Sequence, residues 1–333
     1  MKGRDLLLPF TAALLIIAPL AAVTAGRFPL SIGETLAALC PWFGGAEPQQ
    51  MVREVIFNIR LPRVLLAMLA GAGLGVAGGA FQALFSNPLA TPDTLGVATG
   101  ASFGAVLGIL LGLPSFLVQL SALAAGLAAV ALVIFVSRVR GSSPVIMMIL
   151  AGMVVSALFS ALVSLVKYAA DPQDVLPAIT FWLMGSLSGT TRASLAAGAP
   201  PIAAGMAVIW LFRWKLNAMT LSEDEAVSLG INVTRVRLFV ITGAAMITAA
   251  VVSMCGLIGW VGLLIPHAAR MIFGNDNRYV VPASMALGAL FMLAIDTAAR
   301  SLTASEIPAS ILTSVIGAPF FIFLLRKTGG IRS

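Results

Sequence analysis

The chain has 333 residues, of which 59% are hydrophobic and 10% charged, with a formal net charge of +7. A soluble domain carries about 25% charged residues. This composition therefore excludes a water-soluble enzyme, a disordered chain and a disulfide scaffold. One membrane crossing takes about 20 apolar residues, so the apolar content supplies about ten crossings and leaves no second domain. Residues 1–333 read as a single all-α, polytopic membrane domain.

Apolar runs bounded by Pro, Gly or charge predict spans at about 6–25, 61–83, 94–112, 117–137, 145–167, 193–212, 236–255, 257–270, 280–299 and 308–325. The first run follows Lys2 and Arg4 and ends on Val23-Thr24-Ala25, which imitates a cleavable signal peptide. It is close to full spanning length, so it is expected to be retained. The second run carries Gly71, Gly75 and Gly79, and the third Gly96, Gly100, Gly104, Gly108 and Gly112. A spacing of four places each set on one helix face, where small residues let two backbones approach closely. Between these runs, Phe85–Asp93 (FSNPLATPD) reads as a turn. Pro88 and Pro92 break the helix and Asp93 can cap the next one.

Further along, 213–235 is the largest polar loop. Ser222 and Glu225 form a capping-box pattern, Glu223 and Asp224 suit a positive helix end, and Gly230 is a natural stop. They predict a short helix at about 223–229 outside the membrane. The stretch 257–270 is too short for a straight span, and Gly256, Gly259, Gly262 and Pro266 point to a broken or re-entrant helix. Asp296 is the clearest carboxylate within a span, with Arg300 at i+4 as its partner.

The Lys/Arg bias places the N-terminus, the 213–235 loop and the C-terminus in the cytoplasm. Fewer basic residues fall outside: Arg27, Arg53, Arg60, Arg63, Lys167, Arg192 and Arg300. Arg60 and Arg63 flank Pro62 before one span, and Arg300 ends another on the same side. They suit headgroup anchoring or helix capping, or a positive surface for an acidic partner.

Much chemistry is missing. The sequence holds no Gly-Lys dipeptide, and so no phosphate loop, and no HExxH or CxxC. It has a single His, His267. Cys40 falls in a loop and Cys255 in an apolar run, so neither a bridge nor a metal site is expected. The scarcity of intramembrane carboxylates disfavours coupling to an ion gradient and puts the energy source on another chain. The positive charge belongs to loops, with no basic–aromatic tract for nucleic acid.

Several stretches together carry a family resemblance: Arg60-Leu61-Pro62-Arg63, GAGLGVAGGAFQALFSNPLATPDTLGVATGA at 71–101, Leu150-Ala151-Gly152, Phe181-Trp182-Leu183-Met184-Gly185, LSEDEAVSLGI, GLIGWVGLLIPHAAR at 256–270, and Gly317-Ala318-Pro319. From about residue 27 to 327 the chain resembles the permease subunit of ABC importers for iron–siderophore complexes, haem and vitamin B12. The resemblance implies ten helices per subunit, a second copy of the chain across a central path, two ATP-binding subunits below and a substrate-binding protein above. It implies multi-pass placement in the bacterial inner membrane, contact with membrane lipid, and ATP bound by the partner subunit, with no cofactor, metal or catalytic residue in this chain.

It also implies roles. Arg60, Arg63 and Arg300 match arginines that pair with acidic residues of the binding protein. Ser222, Glu223, Asp224, Glu225, Ala226, Leu229 and Gly230 match the coupling helix that seats in the ATPase. Asn87, Pro88 and Leu89 match a turn of the cytoplasmic gate. Ser142 and Ser143 lie near the family's other gate loop, but Pro144, Val145 and Ile146 follow, so no correspondence is assigned. His267, in Ile265-Pro266-His267, is expected to be structural, a satisfied polar group holding the broken helix. Ferric siderophore is the first expectation for cargo, with haem and cobalamin as alternatives.

Overall fold

The computed structural model describes residues 2–26, 28, 30–39, 49–138, 145–303 and 305–327. Cys40, Ser142 and Ser143 lie outside the described residues. The described residues are helical, with no strand. The elements are α1 (Lys2–Thr24), α2 (Ile32–Leu39), α3 (Gln50–Glu54), α4 (Leu61–Leu84), α5 (Val97–Leu110), α6 (Ser115–Val136), α7 (Val145–Ala169), α8 (Val175–Leu183), α9 (Arg192–Ala218), α10 (Glu223–Ser228), α11 (Val233–Cys255), α12 (Val261–Phe273), α13 (Asn277–Ser301) and α14 (Ala309–Lys327). A π-helical stretch, Val55–Arg60, joins α3 to α4, and a 3-10 turn, Pro92–Leu95, precedes α5.

Six helices are long and apolar enough to cross a membrane: Gln50–Leu84, Ser115–Val136, Val145–Ala169, Arg192–Ala218, Val233–Cys255 and Asn277–Ser301. This is a multi-pass membrane protein, but the expected count of about ten is met by six. Four further apolar stretches occupy the remaining expected positions: Pro9–Thr24 within α1, Val97–Leu110, Val261–Phe273 and Ala309–Phe323 within α14. In α5 and α12, at 14 and 13 residues, the shortening has local causes. Gly96, at φ 73°, and the 3-10 turn consume the start of α5, and an interruption at 256–260 separates α12 from α11.

Two helices form the centre. Of the apolar stretch of the continuous helix Gln50–Leu84, which contains α4, 78% is buried, and of α11's 72%, against 22% in α7 and in α9. The inner position of α4 follows from its glycines. A Cβ at Gly71 would stand 2.0 Å from the Gly288 carbonyl oxygen of α13, and one at Gly75 would stand 2.6 Å from the Ser284 carbonyl oxygen. Gly79 makes only ordinary contact, 3.4 Å from Pro266. The tightest approach is at Gly78, which the four-residue register skips: its Cβ would lie 1.8 Å from the Gly262 carbonyl oxygen of α12. α4 thus packs closely on two sides, against α13 and α12. Gly100 and Gly104 likewise set α5 on α6, facing Ala125 and Ser121. The ends of that ridge do not pack this way. Gly96 is a left-handed turn residue against Ser156, and Gly112, at φ 66°, faces open space. Gly108 meets Ser121 and Val118.

Three helix interruptions meet in the bundle. The backbone N–H of Ser186, just past α8, donates to the Cys255 carbonyl at 2.7 Å, and the Ala309 N–H donates to the Gly185 carbonyl at 2.9 Å. Gly185 (φ 70°) and Gly256 (φ 69°) lie where a Cβ would strike the partner backbone, at 2.2 Å from the Leu257 and Trp182 carbonyl oxygens respectively. Irregular backbone at membrane depth is tolerated where protein covers it, and here each break supplies partners to the next.

Candidate functional site

At one end of the bundle Arg60, Arg63 and Arg300 converge. The last carbonyls of a helix lack internal donors and carry the negative end of its dipole. Two arginines fill that need at the end of α1. Arg60 Nη1 donates to the Val23 carbonyl at 2.6 Å and to the Thr24 carbonyl at 2.8 Å, and its Nη2 donates to the Phe28 carbonyl. Arg300 donates from Nη1 to the Ala25 carbonyl at 2.6 Å, and from Nη2 to the Ala22 carbonyl. Arg63 turns the other way: its Nε donates to Asp296 at 2.8 Å and its Nη1 to Glu306 at 2.8 Å.

The three arginines are therefore not an exposed basic surface. They are 5%, 8% and 6% exposed and form the floor of an open recess of about 190 Å³, bordered by Gly26, Phe28, Ile59 and Glu306. The expected i+4 partner of Asp296 is present but secondary: Arg300 Nε stands 3.5 Å away, against 2.8 Å for Arg63 Nε. Asp296 has no exposed surface, so its charge depends on these two guanidinium groups.

The opposite end carries the turn and the capped helix. Asn87 is held by its N–H, which donates to the Gln82 carbonyl at 3.1 Å, and its Oδ1 accepts from the Leu89 N–H at 2.9 Å. Ser86 is left-handed at φ 46°. Asn87 and Leu89 are exposed and Pro88 is half-buried. The capping box of α10 is complete: Ser222 Oγ accepts from the Glu225 N–H at 3.4 Å, and the Ser222 N–H and Oγ donate to the Glu225 carboxylate at 3.0 and 2.8 Å. The Ser222 hydroxyl and then its N–H hold the Glu225 carboxyl below its ordinary range. Gly230, at φ 77°, donates its N–H to the Val227 carbonyl, and the Ile231 N–H donates to the Ala226 carbonyl. The helix ends at Ser228, one residue short of the expected boundary.

Along α10, Ala226 is 1% exposed whereas Val227 and Leu229 are 58% and 64% exposed. The helix thus plugs into the bundle through Ala226 and presents an apolar edge beside an acidic first turn. A groove of about 220 Å³ joins it to the other feature, with Phe85 and Ser86 on one wall and Glu223, Ala226 and Arg237 on the other. The sequence placed the two features 130 residues apart, so their adjacency is a tertiary fact.

A cavity of about 1000 Å³ lies between α6, α8, α9, α11 and the start of α14. Its polar lining is mostly uncharged, including Gln119, Ser186, Ser188, Ser194 and Ser253. Glu306 carries its one formal charge among the described residues and is paired with Arg63. Nothing in the sequence pattern announced this cavity; α8, which borders it, was not among the expected spans. His267 also differs from expectation. It is half-buried on α12, and the side chain that ties down the broken segment is Gln82, whose Nε2 donates to the Leu263 carbonyl at 3.3 Å and whose Oε1 accepts from Arg270.

Among the described residues no cluster of three His, Cys, Asp or Glu could hold a metal. Comparison with known proteins assigns the architecture. The model of the FecCD transport family matches residues 14–327. The molybdate import permease MolB of Haemophilus influenzae is 39% identical over 314 residues, covering 94% of this chain and 93% of the relative. The cobalamin import permease BtuC of Halobacterium salinarum is 38% identical over 88% of this chain and 78% of its own. The hemin transport permease HmuU of Yersinia pestis is 34% identical over 98% of both. A solved structure of a metal-chelate type ABC transporter in an inward-facing conformation superposes with a TM-score of 0.88, at 37% identity and over 97% of this chain and 99% of that one. With a family model spanning nearly its whole length, the chain belongs to the FecCD transport family.

Proposed function

We propose that the chain is the membrane subunit of an ATP-driven importer that passes a metal chelate, ferric siderophore first, from an extracytoplasmic binding protein to the cytoplasm. Haem and cobalamin are the alternatives within this class. Two copies would flank the path, with ten helices each counted by adding the four further apolar stretches to the six long helices. Both termini would face the cytoplasm. The single observation that carries the reading is the groove joining α10 to the Phe85–Leu89 turn. A capped helix that projects Val227 and Leu229 outward and shares a groove with the Phe85–Leu89 turn is placed to relay a partner's motion.

At the other end, docking would work through the recess. Arg60 and Arg300 already hold α1, so an acidic side chain would enter above their guanidinium groups rather than meet free arginines. Such a contact would bear directly on the end of α1 and on Asp296. The large cavity favours a bulky chelate over a bare oxyanion such as molybdate. Its lining offers hydroxyls and an amide, and its one carboxylate is already neutralised. Weak, uncharged contacts let a cargo leave as readily as it enters.

The cargo is tested in cells that lack their own permease and express this chain with its partner subunits. Labelled ferric siderophore, haem, cobalamin and molybdate are supplied in turn. Uptake of a chelate supports the reading; uptake of molybdate alone overturns it.

A further inference from the structure

The end of the bundle that carries α10 holds a basic feature of its own, on its flank. α9 reaches this end as a span whose apolar length is little buried, and Ala203, Ala207, Trp210 and Trp214 lie on its outward face. Those positions recur every three or four residues, so they line one side of the helix. The face is apolar at depth and turns aromatic and basic towards the helix end. Arg213 lays its guanidinium carbon 4.3 Å above the Trp210 ring, and Lys215 brings Nζ to 5.1 Å from the Phe212 ring. Arg278, at the start of α13, stands 4.7 Å above Trp214. On the other side, Phe212 stacks on Phe239 of α11 with ring centroids 5.4 Å apart. Arg235 lies one turn nearer the same end of α11, on the face of Phe239.

These rings are uncovered. Leu211 and Trp214 are 73% and 59% exposed, and Trp210, Leu238 and Phe239 are exposed as well. Three of the charges are unspent. Arg213, Lys215 and Arg235 make no ion pair among the described residues; Arg213 donates to the Trp210 carbonyl at 2.8 Å. Arg278 is balanced by Asp276 and Arg237 by Glu223, so neither adds to the excess. Exposed aromatic rings beside unpaired cations suit a membrane boundary, where the apolar body of each ring and the charged tip beside it both find partners.

We propose that this belt is a contact surface for anionic glycerophospholipids, whose headgroups are drawn to Arg213, Lys215 and Arg235 while their acyl chains lie on the outward faces of α9 and α11. Placement selects lipid over the ATP-binding partner. Lys215 and Arg213 lie three and five residues before the end of α9 at Ala218, about 5 and 8 Å back along its axis, and their side of the helix continues into an apolar face. A protein meeting this end of the bundle meets α10 first, with its acidic turn and its Val227–Leu229 edge. Charge selects the headgroup. A zwitterionic lipid brings no net charge to balance the three cations, whereas each basic residue near an anionic leaflet gains attraction. The rings hold the cations over themselves and so keep them at the boundary. Because α9 leads into α10 within a few residues, lipid bound here would steady the root of the capped helix. The surface stands on exposure and charge and is independent of the importer reading.

Trp210 and Trp214 make the contact measurable. The permease, in complex with its ATP-binding subunits, is placed in phosphatidylcholine nanodiscs containing increasing brominated phosphatidylglycerol or brominated phosphatidylcholine. Bromine quenches tryptophan fluorescence on contact. The share belonging to the belt is the difference between wild type and the Trp210→Phe/Trp214→Phe variant. Half-maximal quenching is expected at a mole fraction of brominated phosphatidylglycerol at least fivefold below that of brominated phosphatidylcholine, the preference that about one basic residue supplies at an anionic surface. The preference should vanish in about 1 M NaCl, where charges are screened beyond about 3 Å. Arg213→Gln/Lys215→Gln/Arg235→Gln should abolish it, and Arg213→Lys/Lys215→Arg/Arg235→Lys should keep it. Equal quenching by the two lipids, no quenching of these tryptophans by either, or a preference indifferent to salt overturns the surface in the wild-type protein alone. A neutralised triple variant that keeps the preference but sheds its ATP-binding subunits also overturns it and assigns the belt to that partner. No transport is measured, so each of these results leaves the importer reading untouched.

Discussion

The guanidinium groups at the arginine end show how little a residue's type says about its exposure. Arg60, Arg63 and Arg300 look like a docking patch in sequence because they stand at span ends and match the family's docking arginines. In the fold, α1 delivers its bare carbonyls to two of them, and Asp296, 233 positions away, takes the third. Asp296 pairs with Arg300 as the i+4 spacing suggests, but the shorter bond runs to Arg63, and such partnerships cannot be read locally. Arg63→Ala strands Asp296 in the interior, and removing one partner of a buried pair costs about 3–5 kcal/mol. Asp296→Asn in the Arg63→Ala background should recover part of that loss. Unfolding of the single and double variants in detergent measures both, and equal midpoints would show that the pair contributes nothing. The α10 cap was fully legible, because a capping box is made of residues three apart. Ser222→Ala should cost about 1 kcal/mol of helix stability, seen as several-fold faster hydrogen exchange across 223–229. The Glu225 carboxyl, lowered by Ser222, favours the folded helix above the ordinary glutamate pKa. That contribution disappears as pH falls through the lowered value.

Among the elements, the long apolar runs were legible to within a few residues. The predicted 61–83, 145–167 and 236–255 became α4, α7 and α11, with ends shifted by three residues or fewer at most boundaries. The half-helix α8 was not, because nine residues of apolar helix carry no spanning signal and its place depends on the breaks at 256–260 and 305–308. The glycine ridges were legible at Gly71, Gly75, Gly100 and Gly104, but a second close face, at Gly78, lies outside the four-residue register. α4 has two close neighbours, so Gly71 and Gly75 admit α13 while Gly78 admits α12. Gly78→Ala, with its Cβ driven into the Gly262 backbone, should destabilise by about 1–3 kcal/mol, whereas Gly79→Ala, in ordinary contact with Pro266, should be close to neutral. Reversed midpoints would show that α12 does not sit where the structure puts it. The groove between α10 and the Phe85–Leu89 turn sets a further expectation. Replacing Glu223–Ser228 with a Gly-Ser linker should preserve folding while abolishing the response of ATP hydrolysis to binding protein. An unchanged response would remove α10 from the relay.

At the scale of the molecule, the composition was decisive. A chain that is 59% hydrophobic and 10% charged spends almost everything on the membrane, and its few polar features fall at its two ends. The fold adds what composition could not. It closes the arginine end around α1, brings the capped helix beside the Phe85–Leu89 turn, and leaves an open, mainly apolar and nearly uncharged cavity that reaches Glu306. The sequence carries no phosphate loop, and the proposed importer draws its energy from a separate ATP-binding subunit. The most direct measurement is accumulation of labelled ferric siderophore in proteoliposomes that hold the permease with its ATP-binding subunits, with binding protein on the opposite face. The expected result is uptake that requires ATP on the α10 side, requires the binding protein, and persists when proton and sodium gradients are collapsed. Uptake that continues without the ATP-binding subunits and disappears with the gradients would contradict it.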